Sequence, residues 1–101
     1  MRILFCTCPS ETAPGLARTL VEKRLVACVN RVSGVASTYR WEGEIQEDRE
    51  VTIIAKTKKS LVPELIERVK SIHSYDCPCV VSLPIEDGNK PFLDWIKEET
   101  R

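Results

Sequence analysis

Hydrophobic and polar positions along this chain follow two kinds of pattern, which divide it into six main segments and a tail. Short β-prone or alternating runs predict four strands, at residues 3–8, at 26–32 together with 37–42, at 51–56 and at 79–85. Hydrophobic residues spaced by three and four predict one helix after the candidate N-cap Ser10 and another after Ser60. A short tail helix is predicted from Pro91, because proline costs least near a helix start.

Two polar interruptions shape the middle of the chain. Ser33-Gly34 predicts a bulge or bend within the long β-prone region that runs from Val26 toward Glu42. Residues 43–48 are polar and are predicted to form the turn of a hairpin, with residues 51–56 as the returning strand. These interruptions predict two strands joined by a hairpin between the two main helices.

The order of segments is β-α-β-β-α-β with a tail helix, which is the split βαβ pattern of an α+β domain. Right-handed crossovers place both main helices on one face of the sheet. Residues 3–5 and 53–54 are apolar on consecutive positions, so the uncovered face is apolar as well. Burying one such side chain is worth about 1.5–3 kcal/mol. We therefore expect copies of the chain to associate through that face, although the pattern does not fix their number.

Length and charge narrow the possible functions. The 101 residues suit a single domain spanning 1–101. Fifteen Lys and Arg balance fifteen Asp and Glu, and a net charge of zero gives no general attraction to nucleic acid or to acidic membranes. The apolar run at the N-terminus is too short for a signal peptide or a membrane span, so we expect a cytoplasmic protein. Its five cysteines are then expected to be reduced thiols.

Six short motifs follow one another along the chain: LVACVN from Leu25, STYRWEG from Ser37, KT at Lys56, HSYDCP from His73, LPI from Leu83 and DWI from Asp94. Their order and spacing resemble those of the CutA divalent-cation tolerance family, and the match covers nearly the whole chain. No single motif is decisive, but the ordered set is highly specific.

The resemblance implies a ferredoxin-like βαββαβ sandwich with a C-terminal helix and an extended hairpin between the second and third strands. It also implies a homotrimer similar to that of PII signalling proteins, and a role in tolerance of copper or another divalent metal ion. The metal ligands that it implies are Cys6 and His73. Ser74 and Cys79 stand where the family often has proline and glutamate, and Ile72 stands where some members have a second histidine.

The other cysteines extend this metal-binding hypothesis. Cys8 lies two residues from Cys6 on the same strand, so both side chains can share a face. In the ferredoxin-like strand order, the first and last strands are antiparallel neighbours, which would bring Cys77 and Cys79 toward them. Thiolate and imidazole ligands suit copper(I) or zinc. The alternative is that these cysteines are small buried hydrophobic residues, and that His73 is a hydrogen-bonded residue at a helix end.

Cys28 is expected in the core. Tyr39 and Trp41 share one face of the second strand, where they are expected to pack between subunits. Alternatively, they form a wall of an intersubunit cleft in which Lys56 contacts an anion.

The leading interpretation is a trimeric cation-tolerance protein that binds copper or a similar soft metal ion. The alternative is a PII-like signalling or scaffold module that binds a small anion or a partner protein between subunits.

An enzyme is not expected, because the chain has no glycine-rich phosphate loop, acidic metal cluster or nucleophile elbow. An RNA-binding domain of the same topology would need stacking aromatics on its central strands, and residues 51–56 have none. A heavy-metal chaperone would carry CxxC where this chain has Cys-Thr-Cys.

Overall fold

The structure, a computed structural model, describes residues 1–101. Four strands and three helices follow one another in the order β1 Arg2–Cys8, α1 Ala13–Glu22, β2 Cys28–Trp41, β3 Glu44–Thr57, α2 Val62–Ile72, β4 Val80–Pro84 and α3 Lys90–Glu99. A 3-10 turn over Lys59–Leu61 leads into α2. None of the helices is long and apolar enough to cross a membrane.

The four strands form one antiparallel sheet in the order β2-β3-β1-β4. The first and last strands are neighbours, as the ferredoxin-like strand order requires, and Cys6 pairs with Val80. One face of the sheet packs against α1 and α2. The core between them consists mainly of aliphatic side chains with two cysteines, among them Leu4, Cys6, Cys8, Leu16, Leu20, Ile53, Leu65 and Val69. The predicted α+β ferredoxin-like fold is therefore confirmed.

The face of the sheet opposite α1 and α2 is only partly covered. Ile3 and Phe5 of β1 are half-buried there, and they pair with Leu83 and Val81 of β4. Val81 and Leu83 keep 50% and 47% of their surface exposed. An apolar surface that reaches water along the edge strand β4 agrees with the apolar second face that the sequence of β1 and β3 predicted.

The hairpin of β2 and β3 extends well beyond the other two strands. β1 pairs with β3 only from Val51 to Thr57, whereas β2 continues to pair with β3 as far as Trp41 and Glu44. We call the outer part, residues 35–50, the hairpin arm. The arm is a two-stranded ribbon with no third strand beside it, and such ribbons are marginally stable alone.

The hairpin turn is shorter than predicted. Residues 43–48 are not a polar loop, because β3 begins at Glu44 and the turn consists of Glu42 and Gly43. Both turn residues have positive φ, 50° and 82°, which matches the right-handed twist of the strands. The polar residues that suggested a loop are the exposed positions of the ribbon. The bulge predicted at Ser33-Gly34 is confirmed by a register shift between Val32 and Val35.

The predicted N-caps were wrong. Helix α1 has Thr12 at its N-cap position, with no side-chain hydrogen bond, and Ser60 lies inside the 3-10 turn before α2. Pro14 and Pro63 occupy the first turns of α1 and α2. Proline fixes φ at a helical value and leaves no backbone N–H to cap, so these helices begin without a serine.

Candidate functional site

A cavity of about 670 Å³ lies where the hairpin arm leaves the sheet. The end of β1, both strands of the arm and the segment between α2 and β4 contribute its walls. The lining side chains are polar or aromatic for the most part, and belong to Thr7, Ser37, Thr38, Tyr39, Trp41, Glu50, Ser74, Tyr75, Asp76, Cys77 and Cys79. The cavity therefore contains Tyr39, Trp41, Cys77 and Cys79 from the predicted site, but not Cys6, Cys8, His73 or Lys56.

Glu50 is the buried acidic group of this cavity. Only 6% of its surface is exposed, and its one side-chain hydrogen bond is accepted by Oε2 from the Tyr75 hydroxyl at 3.0 Å. Burial and this hydrogen bond raise the pKa of Tyr75. Glu50 takes part in none of the ion pairs of the chain. The protein thus buries a carboxyl group beside the cavity without a positive charge next to it.

Tyr39 stands on the same side of the arm as Glu50. Its hydroxyl donates a hydrogen bond to the Asp48 carboxylate, which raises the pKa of Tyr39 because the neutral phenol is the donor. Each of the two tyrosines in the cavity is therefore held by a carboxylate of β3. The rings of Tyr39 and Tyr75 are positioned by these contacts.

His73 has no free ring nitrogen. Nε2 lies 2.7 Å from the carbonyl oxygen of Thr7, and Nδ1 accepts the backbone N–H of Tyr75 at 3.2 Å. Because a carbonyl can only accept, Nε2 carries the proton and Nδ1 is the unprotonated nitrogen. His73 is 7% exposed, and its ring centroid lies 4.6 Å from that of Tyr75. In this arrangement the imidazole ties the end of α2 to β1 and to the cavity wall.

Cys6 and Cys8 are fully buried against the helices. Burial, with the negative charges of Cys8, Cys79 and Glu50 as smaller causes, raises the pKa of Cys6 to about 12. Burial also raises the pKa of Cys8. Metals bind the thiolate rather than the thiol, so these two residues and the doubly hydrogen-bonded His73 fit a metal ion poorly in a single chain.

Cys77 and Cys79 are exposed and line the cavity. The N–H of Thr7 donates to the carbonyl of Cys79 at 3.4 Å, so the start of β4 lies beside the end of β1, as predicted from the strand order. No group of three or more His, Cys, Asp or Glu side chains is arranged to hold a metal ion. The metal site stays a prediction.

Lys56 and Cys28 lie away from the cavity. Lys56 pairs with Cys28 and Ile3 across the sheet and donates to the side-chain oxygen of Asn30. Cys28 is half-buried at the start of β2 and does not belong to the core cluster in which it was expected. The combination of Tyr39, Trp41 and Lys56 as one cleft is not formed within a chain, and a cleft between subunits stays a prediction. The cavity of a single chain is lined by the acidic residues Glu50 and Asp76 and by no Lys or Arg, so its charge favours a cation over an anion.

Sequence reasoning missed Glu50, Tyr75 and Asp76. One signal was present, because Glu50 is a charged residue directly before the buried run that begins at Val51. Its hydrogen-bond partner Tyr75 is 25 residues away along the chain, and no local pattern predicts that contact.

Comparison with known proteins gives a consistent result. The sequence profile of the family described as "CutA1 divalent ion tolerance protein" matches residues 2–99. The "Divalent-cation tolerance protein CutA" of Thermus thermophilus is 48% identical over 99 residues, which are 97% of this chain and 96% of that protein. "Protein CutA" of Mus musculus is 50% identical over 97 residues, 95% of this chain but only 55% of the mouse protein. This chain thus spans about half the length of its mouse relative.

A solved structure from Thermus thermophilus, titled as a divalent cation tolerance protein (Cut A1), superposes with a TM-score of 0.96. The two sequences are 47% identical, and the superposition covers 100% of both chains. The family profile, the sequence of the Thermus thermophilus relative and the solved structure all match this chain over essentially its full length, and all three indicate the same family. The chain belongs to the CutA1 divalent ion tolerance family.

Proposed function

We propose that this protein acts in divalent-cation tolerance as a homotrimer that binds copper or a similar soft metal ion at the cavity. The observation that carries the proposal is the lining of the cavity. It combines the exposed thiols of Cys77 and Cys79 with the carboxyl groups of Glu50 and Asp76, and it contains no Lys or Arg. Such a wall attracts cations, and its sulfur ligands favour soft ions over Mg²⁺ or Ca²⁺.

Among the predicted ligands, the structure favours Cys77 and Cys79 over Cys6, Cys8 and His73. A metal ion at Cys6 would need a thiolate in a buried position where the pKa is raised to about 12. A metal ion at His73 would have to break its hydrogen bond with Thr7 or with Tyr75. Metal binding at the exposed Cys77 and Cys79 requires neither a buried thiolate nor the loss of a His73 hydrogen bond.

Two features support association into the trimer that the family resemblance implies. The uncovered face carries the exposed side chains of Val81 and Leu83, and the hairpin arm lacks a third strand. Contact with other copies would remove the apolar surface from water and give the arm a neighbour. The assembled protein would have a mass near three times the 11.5 kDa of one chain.

We propose binding rather than catalysis as the activity. A cysteine nucleophile needs an oriented base, and the unprotonated nitrogen of His73 is already occupied by the N–H of Tyr75. Metal binding by free thiols also suits a reducing compartment, which supports a cytoplasmic location.

An anaerobic titration of the reduced protein with Cu(I), in competition with a chromophoric Cu(I) chelator, tests the proposal. Binding is expected at a fixed ratio per chain. It should be lost in the Cys77→Ser/Cys79→Ser double variant and retained in Cys28→Ser, the matched control. Unchanged binding by the double variant would reject these ligands, and light scattering that shows one chain in solution would reject the trimer.

A further inference from the structure

We propose that Arg24 holds α3 on the rest of the chain through a clasp of hydrogen bonds, and that α3 opens separately from the sheet when the clasp is released. We use the name arginine clasp for the bonds that Arg24 and Arg101 make across the ends of α1 and α3. Neither arginine lines the cavity, so the proposal goes beyond metal binding. All of these bonds lie within one chain, so the clasp needs no second copy.

Arg24 ends α1 in a backbone conformation that usually belongs to glycine. Its φ is 57°, in the left-handed region. The N–H of Arg24 donates to the carbonyl of Val21 at 3.0 Å, and the N–H of Leu25 donates to that of Leu20 at 3.1 Å. These bonds form a Schellman motif, in which glycine is favoured because a side chain strains the left-handed residue. A strained arginine at this position indicates a role for its side chain that glycine could not fill.

The side chain of Arg24 bonds to the last carbonyls of α3. Nη2 donates to the carbonyl of Glu98 at 2.7 Å, and Nε donates to that of Glu99 at 3.2 Å. Carbonyls at the end of a helix have no partner within the helix and carry partial negative charge, so a cation is favourable there. The planar guanidinium can bond two neighbouring carbonyls at once. Arg24 therefore caps α1 with its backbone and α3 with its side chain.

Arg101 completes the clasp from the side of α3. Its N–H donates to the carbonyl of Arg24 at 3.1 Å, and its Nε donates to the carbonyl of Lys23 at 3.0 Å. Its guanidinium also pairs with Glu64 in the first turn of α2. The end of α3 is thus bonded both to the loop between α1 and β2 and to α2.

Few buried side chains hold α3 in place. Ile96 is the only residue of this helix that is fully buried. Thr100 is buried just beyond the helix, but its hydroxyl donates back to the carbonyl of Ile96, and its own carbonyl accepts a surface bond from Lys58 at 3.3 Å. Because surface bonds rather than a wide apolar face attach α3, we expect its local opening to cost less free energy than unfolding of the sheet.

Trypsin cleavage after Lys97 reports on the opening of α3. The only other lysine of this helix, Lys90, precedes Pro91, and trypsin does not cut before proline. Cleavage after Arg68, next to the fully buried Val69 of α2, reports on unfolding of the whole domain. A helix must open before a protease can cut it, so the initial rates of the two cuts compare local with global opening. Mass spectrometry of the reduced protein measures both rates.

Arg24→Gly separates the two roles of this residue. Glycine adopts a positive φ without strain but supplies no guanidinium, so the end of α1 is relaxed while α3 loses its cap. Cleavage after Lys97 should accelerate by about tenfold or more, and cleavage after Arg68 should accelerate much less. An arginine that served only to end α1 would give no acceleration at either site, because glycine suits that position better.

Three further variants complete the test. Arg24→Ala loses the guanidinium but keeps the backbone strain, so both cuts should accelerate. Arg101→Ala leaves the turn after α1 unchanged and should accelerate only the cut after Lys97. Lys23→Ala is the matched control, because Lys23 contributes only its backbone carbonyl to the clasp, and it should leave both rates unchanged.

Two results would overturn the inference. An unchanged rate of cleavage after Lys97 in Arg24→Gly would show that the guanidinium does not hold α3. Equal acceleration of both cuts in Arg24→Gly and in Arg101→Ala would show that α3 opens only when the whole domain unfolds. Neither result depends on whether the protein binds Cu(I), so this test and that of the metal proposal fail independently.

Discussion

The hydroxyl of Tyr75 donates a 3.0 Å hydrogen bond to the carboxylate of Glu50, and this contact joins two parts of the chain that share no strand pairing. Tyr75 belongs to the segment between α2 and β4, whereas Glu50 lies at the base of the hairpin arm. The backbone N–H of the same tyrosine donates to His73. Tyr75 therefore connects the end of a helix, a cavity wall and the arm.

Removal of this hydroxyl tests its structural role. Tyr75→Phe leaves Glu50 buried without its hydrogen bond, so the free energy of unfolding should fall by about 1–2 kcal/mol. Urea denaturation at fixed protein concentration measures the change. Tyr39→Phe is the control, because Asp48, which accepts the hydrogen bond of the Tyr39 hydroxyl, is exposed and can bond to water instead. A larger loss in Tyr39→Phe than in Tyr75→Phe would contradict this account.

The pKa of Cys6 predicts how stability depends on pH in the alkaline range. The thiol has a pKa of about 12 in the folded state against 9.0 without the protein environment. Above pH 9 the unfolded chain loses this proton first, so stability is fully present below pH 9 and falls as the pH rises toward 12. The slope due to this group is at most about 1.4 kcal/mol per pH unit.

Denaturation of the reduced protein from pH 7 to 10.5 checks this dependence. Cys6→Ala should unfold more easily at pH 7 but show a shallower decline above pH 9. Cys28→Ala, whose cysteine is half-buried elsewhere in the sheet, should keep the original slope. The same slope in both variants would mean that Cys6 does not titrate as inferred.

Two glycines should respond in opposite directions to replacement by alanine. Gly43 has a φ of 82° in the hairpin turn, a conformation that strains a residue with a side chain, so Gly43→Ala should lower stability by about 1 kcal/mol. Gly15 lies in α1, and a Cβ there would meet no atom within 4 Å. Gly15→Ala should raise stability by about 0.5–1 kcal/mol. Thermal unfolding of both variants shows the signs, and equal signs would contradict the assigned conformations.

The uncovered face of the sheet predicts which substitution disrupts assembly. Leu83→Glu places a charge on that face and should raise the dissociation constant of the oligomer at least tenfold. Val21→Glu is the control, because Val21 is also partly exposed but lies on α1, on the opposite side of the sheet. Sedimentation velocity over a range of concentrations distinguishes them. Dissociation by the control alone would place the interface on the helices.

Sequence patterns predicted those parts of the structure that depend on local spacing. The strand at Ile3, the amphipathic helix at Leu16 and Leu20 and the bulge at Gly34 are all local features, and the structure contains them. The split βαβ order then determined which strands are neighbours. The apolar pairs of β1 and β3 also predicted an uncovered apolar face.

The errors have specific physical causes. Polar residues 43–48 suggested a loop, but a ribbon exposed on both sides is also polar, so hydrophobicity cannot separate the two. The strand register places Lys56 at the other end of β3 from Tyr39, opposite Cys28, so the predicted cleft of these residues would need two subunits and stays a prediction. Glu50 was missed because its hydrogen-bond partner Tyr75 lies 25 residues away along the chain. The length of the hairpin turn, the position of Lys56 and the burial of Glu50 all depend on strand register or on long-range contacts, which local sequence patterns do not determine.

The absence of a third strand beside residues 35–50 makes the arm a natural reporter of assembly. In a lone subunit its amide protons would exchange quickly with deuterium, because a two-stranded ribbon opens at little cost. Those of Leu4 and Ile53, in the centre of the sheet, would exchange slowly in either state. Isotope uptake along the arm would therefore measure how firmly neighbouring copies hold it, without any label attached to the protein.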